Sequence, residues 1–142
     1  MAPGIARSQE SLTPYLTVGR RVLVIEEDKM DRGYICTTLK GHGFEVISCM
    51  DVEEGAQRLE KGAYDFVVVS QGSRAFEGRA VLERVLTIDR HLPVVVLTRV
   101  VDMHCYMEAM QMGAVDYLEK PLSEAELIRV VETHLRPHSA VA

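Results

Sequence analysis

Five short apolar runs punctuate this chain, and polar stretches with a different period separate them. Arg21-Val22-Leu23-Val24-Ile25 is β-branched and continuous, which predicts a first strand ending in Glu26-Glu27-Asp28. A helix is predicted from about Met30 to Lys40, with Ile35 and Leu39 four apart on one face and Gly41 and Gly43 behind them as a stop. Phe44 to Ser48 is the second strand. Asp51-Val52-Glu53-Glu54 has the capping-box spacing, an acceptor followed three residues on by a glutamate, so a second helix runs from there to about Lys61 before Gly62.

Tyr64-Asp65-Phe66-Val67-Val68-Val69-Ser70 is the third strand, a buried run that ends abruptly on a hydroxyl, and Gln71-Gly72-Ser73-Arg74 is its loop. A third helix starts near Gly78 with Val81, Leu82, Val85 and Leu86 on its apolar stripe. Pro93 introduces the fourth strand, Val94 to Thr98. The fourth helix covers about Asp102 to Met112 and stops at Gly113; the fifth strand is Val115 to Leu118. Ser123 and Glu126 form a second capping box, and the fifth helix extends to about Leu135, with Pro137 beyond it.

Strand and helix thus alternate five times. Continuous apolar strands joined by amphipathic helices require a parallel sheet covered on both faces, and right-handed crossovers leave few topologies. The expectation is an α/β, single-domain, flavodoxin-like (βα)5 three-layer sandwich with strand order 2-1-3-4-5. Residues 1–19, with Pro3, Gly4 and Pro14 and no sustained period, are expected to be a mobile arm. Residues 20–136 are expected to form the domain and 137–142 a tail.

Composition narrows the classes. At 142 residues the chain suits one domain, and 47% apolar with 26% charged residues is ordinary for a soluble globular protein, so a cytoplasmic setting is expected. A net charge of −5 without any run of Lys or Arg argues against nucleic-acid binding. No apolar run approaches bilayer length, so no membrane association is expected. Cys36, Cys49 and Cys105 are scattered and odd in number, which reads as free thiols and excludes a zinc or CxxC motif.

Chemistry in an open parallel sheet gathers beyond the carboxyl ends of its strands. That rule brings Glu26 and Glu27, Ser70, Thr98 and Lys120 to one edge. Two carboxylates, two hydroxyls and an ammonium suit a phosphoryl group with a hard divalent cation. The nucleophile is missing. A carboxylate can accept a phosphoryl group as an acyl phosphate, whereas a serine hydroxyl needs a general base, and no histidine lies in the strand-end segments.

These segments resemble the receiver domain of two-component response regulators. Val22-Leu23-Val24-Ile25-Glu26-Glu27-Asp28 is similar to that family's first strand and acidic pair, and Tyr64 to Val69 to its third strand. Leu92-Pro93-Val94-Val95-Val96-Leu97-Thr98 is similar to its fourth strand, and Gly113-Ala114-Val115-Asp116-Tyr117-Leu118-Glu119-Lys120-Pro121 to its Gly-Ala…Tyr-Leu…Lys-Pro block. The likeness implies that the phosphoacceptor position falls on Ser70 and the Mg2+-binding pair on Glu26 and Glu27. It implies that Thr98 is the switch hydroxyl, Tyr117 the switch aromatic and Lys120 the phosphoryl-contacting lysine. It implies partners among signalling proteins (a histidine kinase, an output domain, another receiver or a second copy) that dock on the fourth helix, fifth strand and fifth helix, where Met103, Met107 and Met110 recur at helical spacing.

Four departures weigh against ordinary phosphotransfer. Ser70 cannot form an acyl phosphate. Glu26 and Glu27 stand where aspartates are usual, so at most a weakened Mg2+ site is expected and no other cofactor. Arg99 replaces a small residue and Arg74 a proline; either arginine is expected to pair with Glu26 or Glu27 and block the pocket. The implied function is a pseudo-receiver, an interaction module without catalytic residues. Two alternatives are phosphorylation of Ser70 by a serine kinase and a flavodoxin-like cofactor site. The second meets a loop, Glu26-Glu27-Asp28, that would repel phosphate.

Overall fold

A computed structural model describes residues 19–71 and 75–135. The expected arm before residue 19, Arg74 and the expected tail from 137 lie outside the described residues. The elements in chain order are β1 (Arg21–Ile25), α1 (Lys29–Gly41), β2 (Glu45–Cys49), α2 (Val52–Arg58) and β3 (Phe66–Gln71). They continue with α3 (Arg79–Ile88), β4 (Val94–Thr98), α4 (Met103–Gln111), β5 (Asp116–Glu119) and α5 (Glu124–His134). The sheet order is β2-β1-β3-β4-β5 with every pair parallel. The expected flavodoxin-like fold is the one observed.

The side-chain period of two divides each inner strand between two cores. Leu23, Ile25, Val67, Val69, Val94 and Val96 face one side, where they meet Leu59, Val81, Leu82, Val85 and Ala109 of the α2–α4 side. Val22, Val24, Phe66, Val68, Val95 and Leu97 face the other, against Ile35 and Leu39 of α1 and Leu127 and Val131 of α5. All of β3 and β4 is buried, which is why their sequences read as unbroken apolar runs. The edge strands β2 and β5 are partly exposed, and their sequences mix polar with apolar residues.

Polar caps set the helix starts. Asp28, Asp51, Asp102 and Ser123 each accept a backbone N–H from the first turn of their helix. The Ser123–Glu126 box is complete. The Asp51–Glu54 box is half made: Asp51 accepts from Glu54 N at 2.8 Å, but the Glu54 carboxylate reaches Met50 N at 3.4 Å instead of the cap. Gly78, before α3, has no side-chain cap of its own; Gln71 at the end of β3 supplies one, with Oε1 accepting from Gly78 N at 3.1 Å.

Two expectations are corrected. α2 stops at Arg58, short of Lys61, because Leu59 turns to extended backbone (φ −74°, ψ 121°) and buries itself completely. Its carbonyl, lost to the helix, accepts from Arg84 at 3.3 Å. Leu86 was expected on the buried stripe of α3 but is exposed, while Val81, Leu82 and Val85 form the stripe.

Candidate functional site

Strand register assembles the site. Ile25 pairs with Val69, so Glu26 and Ser70 emerge side by side from neighbouring strands. Ser70 in turn lies opposite Leu97, one residue before Thr98. Thr98 pairs with Glu119, and Lys120 N then donates to Thr98 O at 2.7 Å. The strand ends open onto a polar cavity of about 240 Å3 lined by Glu26, Glu27, Ser70, Arg99 and Lys120, with Gln71 on its wall. Four of the five residues expected at this edge therefore meet there, and Arg99 joins them.

The fifth, Thr98, does not line the cavity. It is fully buried, and its Oγ1 donates to Val100 O at 2.9 Å and accepts from Val100 N at 3.1 Å. The hydroxyl thus ties down the loop that carries Arg99. Tyr117 is also buried; its hydroxyl accepts from Asp102 N at 3.4 Å, and its ring meets that of Tyr106 edge to face at 5.8 Å.

Lys120 is the electrostatic centre. Its ammonium donates to Glu26 Oε1 at 2.5 Å and to Asp31 Oδ2 at 3.0 Å, and its side chain is 8% exposed. The other Glu26 oxygen accepts from Asp28 N at 3.0 Å, so both oxygens of this buried carboxylate are engaged. Glu27, the next residue, is exposed.

Asp31, unanticipated as a site residue, sits in the first turn of α1. It also accepts from Arg99 Nη2. This corrects the expected pairing: Arg99 does cross to the acidic side, but its partner is Asp31, not Glu26 or Glu27. The physical reason is that Lys120 and the Asp28 N–H already take both oxygens of Glu26. Burial pushes the Asp31 carboxyl up, but the Lys120 ammonium and the Arg99 guanidinium outweigh it and hold the group below its ordinary value. The signal for Asp31 was its place in the first turn of α1, three residues past the cap Asp28. Arg74 lies outside the described residues, so its expected pairing has no structural counterpart here.

Ser70 is 7% exposed, and its Oγ has no hydrogen-bond partner. A hydroxyl bonded back to its own strand would be the ordinary arrangement, and it is not the one present. A divalent cation fits this donor set poorly. One carboxylate is spent on Lys120 and Asp28, another is exposed, and Ser70, one residue before the end of β3, offers a neutral hydroxyl. Among the described residues no group of three His, Cys, Asp or Glu side chains has metal-holding geometry. The thiols take no part: Cys49 and Cys105 are buried, and burial pushes both up in pKa.

Comparison with known proteins accords with this geometry. The family model described as response regulator receiver domain matches residues 22–132. The chain belongs to that family. As a receiver, it is 30% identical over 114 residues to the response regulator protein FleR of Pseudomonas aeruginosa, covering 80% of this chain and 24% of that protein. It is 29% identical over 122 residues to the virulence transcriptional regulatory protein PhoP of Salmonella typhimurium, covering 86% of this chain and 54% of that one. The receiver thus spans about a quarter of the first relative and about half of the second. Among solved structures, it superposes on HP1043, an orphan response regulator of H. pylori, with a TM-score of 0.73 at 27% identity, covering 84% of this chain and 99% of that one. A CheY-like receiver from Methanospirillum hungatei gives 0.74 at 18% identity, covering 80% and 91%, and shows the fold alone.

Response regulator receivers work in two-component signalling, where they interact with kinases and output domains. Among the described residues no helix of this receiver is long and apolar enough to cross a membrane.

Proposed function

We propose that this receiver signals by protein contact without accepting a phosphoryl group, with Ser70 at the position where the family carries its acceptor carboxylate. The observation that carries this reading is Ser70 Oγ, buried and unpartnered in the cavity beside a Lys120 already bound to Glu26 and Asp31. An acyl phosphate needs a carboxylate nucleophile, and a serine would need a base to take its proton. Among the described residues the cavity lining contains no histidine, and Glu26, the carboxylate that follows β1, is engaged through both oxygens.

Burial weighs against the serine-kinase alternative. Ser70 lies within a six-residue strand hydrogen-bonded on both sides, so a kinase would have to pull the end of β3 out of the sheet. The fourth helix supports docking as the mode of action. Met103 and Met107 are exposed, with Val101 just before them, while Met110 packs on the core. Flexible methionines suit adaptable contacts with partner proteins. In this reading the partners are other signalling proteins or a second copy, met through α4, β5 and α5.

The test is titration with beryllofluoride, a phosphoryl mimic, and Mg2+, followed by NMR, on the wild type and on Ser70→Asp. The wild type is expected to show no saturable shift at Lys120, Thr98 or Tyr117. A saturable wild-type response at those residues overturns the proposal. A response in Ser70→Asp alone would place the loss on that single side chain.

A further inference from the structure

A second cavity, of about 300 Å3, shares Arg99 and Lys120 with the polar one but is walled differently. Its apolar walls are Ile35 of α1, Leu97 of β4, Leu122 of the β5–α5 connection and Leu127 of α5. Ile35, Leu97 and Leu127 are buried members of the core on the α1–α5 side of the sheet. Tyr34, also on the lining, bridges α1 to that connection, its hydroxyl donating to Leu122 O at 2.9 Å. That bond braces the two elements against each other, so the hollow is built into the fold. A cavity of this size, mostly apolar and with a few polar groups in one cluster, has the make-up of a small-molecule site. Apolar walls facing water also favour an occupant that displaces it.

Charge selects the kind of molecule. Among the described residues the lining carries one carboxylate, Asp31, against two cations, Arg99 and Lys120. Glu26 also neutralises Lys120, but it does not line this cavity. Asp31 Oδ2 is shared by both cations. Arg99 is more than half exposed and, among the described residues, donates only through Nη2. Most of the five donors of its guanidinium therefore have no protein acceptor.

We propose that this cavity binds a small apolar monocarboxylate, with its hydrocarbon body against Leu97, Leu122 and Leu127 and its carboxylate on the Arg99 donors that Asp31 leaves unused. The proposal goes beyond the reading of Ser70 and does not depend on it. A carboxylate matches the planar guanidinium fork, and the bond is charge-assisted. A phosphate monoester would bring a charge of about −1.5 to −2 into a lining whose surplus is a single positive charge. An amine would meet that surplus with its own positive charge. Binding also has a route outward. Arg99 follows Thr98, whose hydroxyl holds Val100 in the loop that leads to α4. A ligand that competes with Asp31 for Arg99 acts on that loop, and so gives the domain an input that needs no phosphoryl group.

The experiment titrates the full chain, labelled with 15N, and follows its backbone amides and the Arg99 Nε–H by NMR. The probes are 3-phenylpropionate, its neutral amide 3-phenylpropanamide, the amine 3-phenylpropylammonium, and acetate, which has the charge without the body. The expected result is saturable shifts with 3-phenylpropionate at the amides of Tyr34, Ile35, Arg99 and Leu122 and at the Arg99 Nε–H. The carboxylate should bind about tenfold more tightly than the amide, the scale of a hydrogen bond to a charged group. The amine should bind no more tightly than the amide, and acetate should not saturate. Arg99→Gln, at a half-exposed position where folding should be unaffected, should bring the carboxylate down to the affinity of the amide. No saturable shift with 3-phenylpropionate overturns the proposal. Equal binding of carboxylate and amide, or tighter binding of the amine, overturns the anionic assignment. Acetate that binds as tightly as 3-phenylpropionate overturns the role of the apolar walls. An Arg99→Gln chain that keeps the full preference for the carboxylate overturns the anchor.

Discussion

Lys120 and Glu26 meet at 2.5 Å, although β3 and β4 separate the strands that deliver them. Both side chains are more than nine-tenths buried. The pair therefore fixes the floor of the cavity and ties the β5–α5 connection to the end of β1. Removing one member of a buried pair leaves an uncompensated charge, which costs far more than the pair itself contributes. Lys120→Met should lower unfolding free energy by about 3 kcal/mol in urea at neutral pH. The double variant Lys120→Met/Glu26→Leu should recover most of that loss. Arg99→Ala, which removes a guanidinium more than half exposed, should cost under about 1 kcal/mol.

The acid limb of the stability curve should carry the signature of Asp31. Its carboxyl titrates below the ordinary value in the folded chain, held there against burial by Lys120 and Arg99. A depressed folded pKa means that the unfolded chain binds the proton first. The stabilisation is thus complete above the ordinary aspartate value, about pH 4, and is lost as pH falls through the lower folded value. Asp31→Asn should flatten this part of the curve, measured by urea unfolding between pH 6 and pH 2.5, roughly the span over which carboxylates titrate. An unchanged slope would mean that the two cations do not act on Asp31 in solution.

Gly55 sets α2 directly against Ile25 of β1, the strand that leads into the acidic pair. A Cβ there would stand 2.6 Å from Ile25 Cγ1, and Ile25 is buried and branched at that point. Alanine normally stabilises a helix interior by up to about 1 kcal/mol over glycine. Here overpacking should dominate, and Gly55→Ala should destabilise by about 2 kcal/mol, with partial rescue by Ile25→Val, which removes the Cδ1 nearest the new methyl.

How much of this was legible beforehand depends on the range of the interaction. The strands were readable to within one or two residues at most boundaries, because β1, β3 and β4 are buried on both faces and must be apolar throughout. Parallel pairing then dictated which residues share the edge, so Glu26, Ser70 and Lys120 could be placed together. The end of α2 was not readable, since Leu59 is a good helix former that leaves the helix only to fill a tertiary gap. The partner of Arg99 was missed for a similar reason. Its reach to Asp31 depends on Lys120 having already taken Glu26, a competition among three elements that no local pattern encodes. The hydroxyl of Thr98 was expected in the cavity, but its short loop supplies a closer pair of partners in Val100.

The central claim is that Ser70 cannot take up a transferable phosphoryl group. Its most direct test is the intact mass of the wild-type chain after incubation with acetyl phosphate and Mg2+, with a phosphorylatable receiver as a parallel control. The mass should remain that of the unmodified chain while the control gains one phosphoryl group. A wild-type chain that gains a phosphoryl group on Ser70, or on any carboxylate of this cavity, would contradict the account.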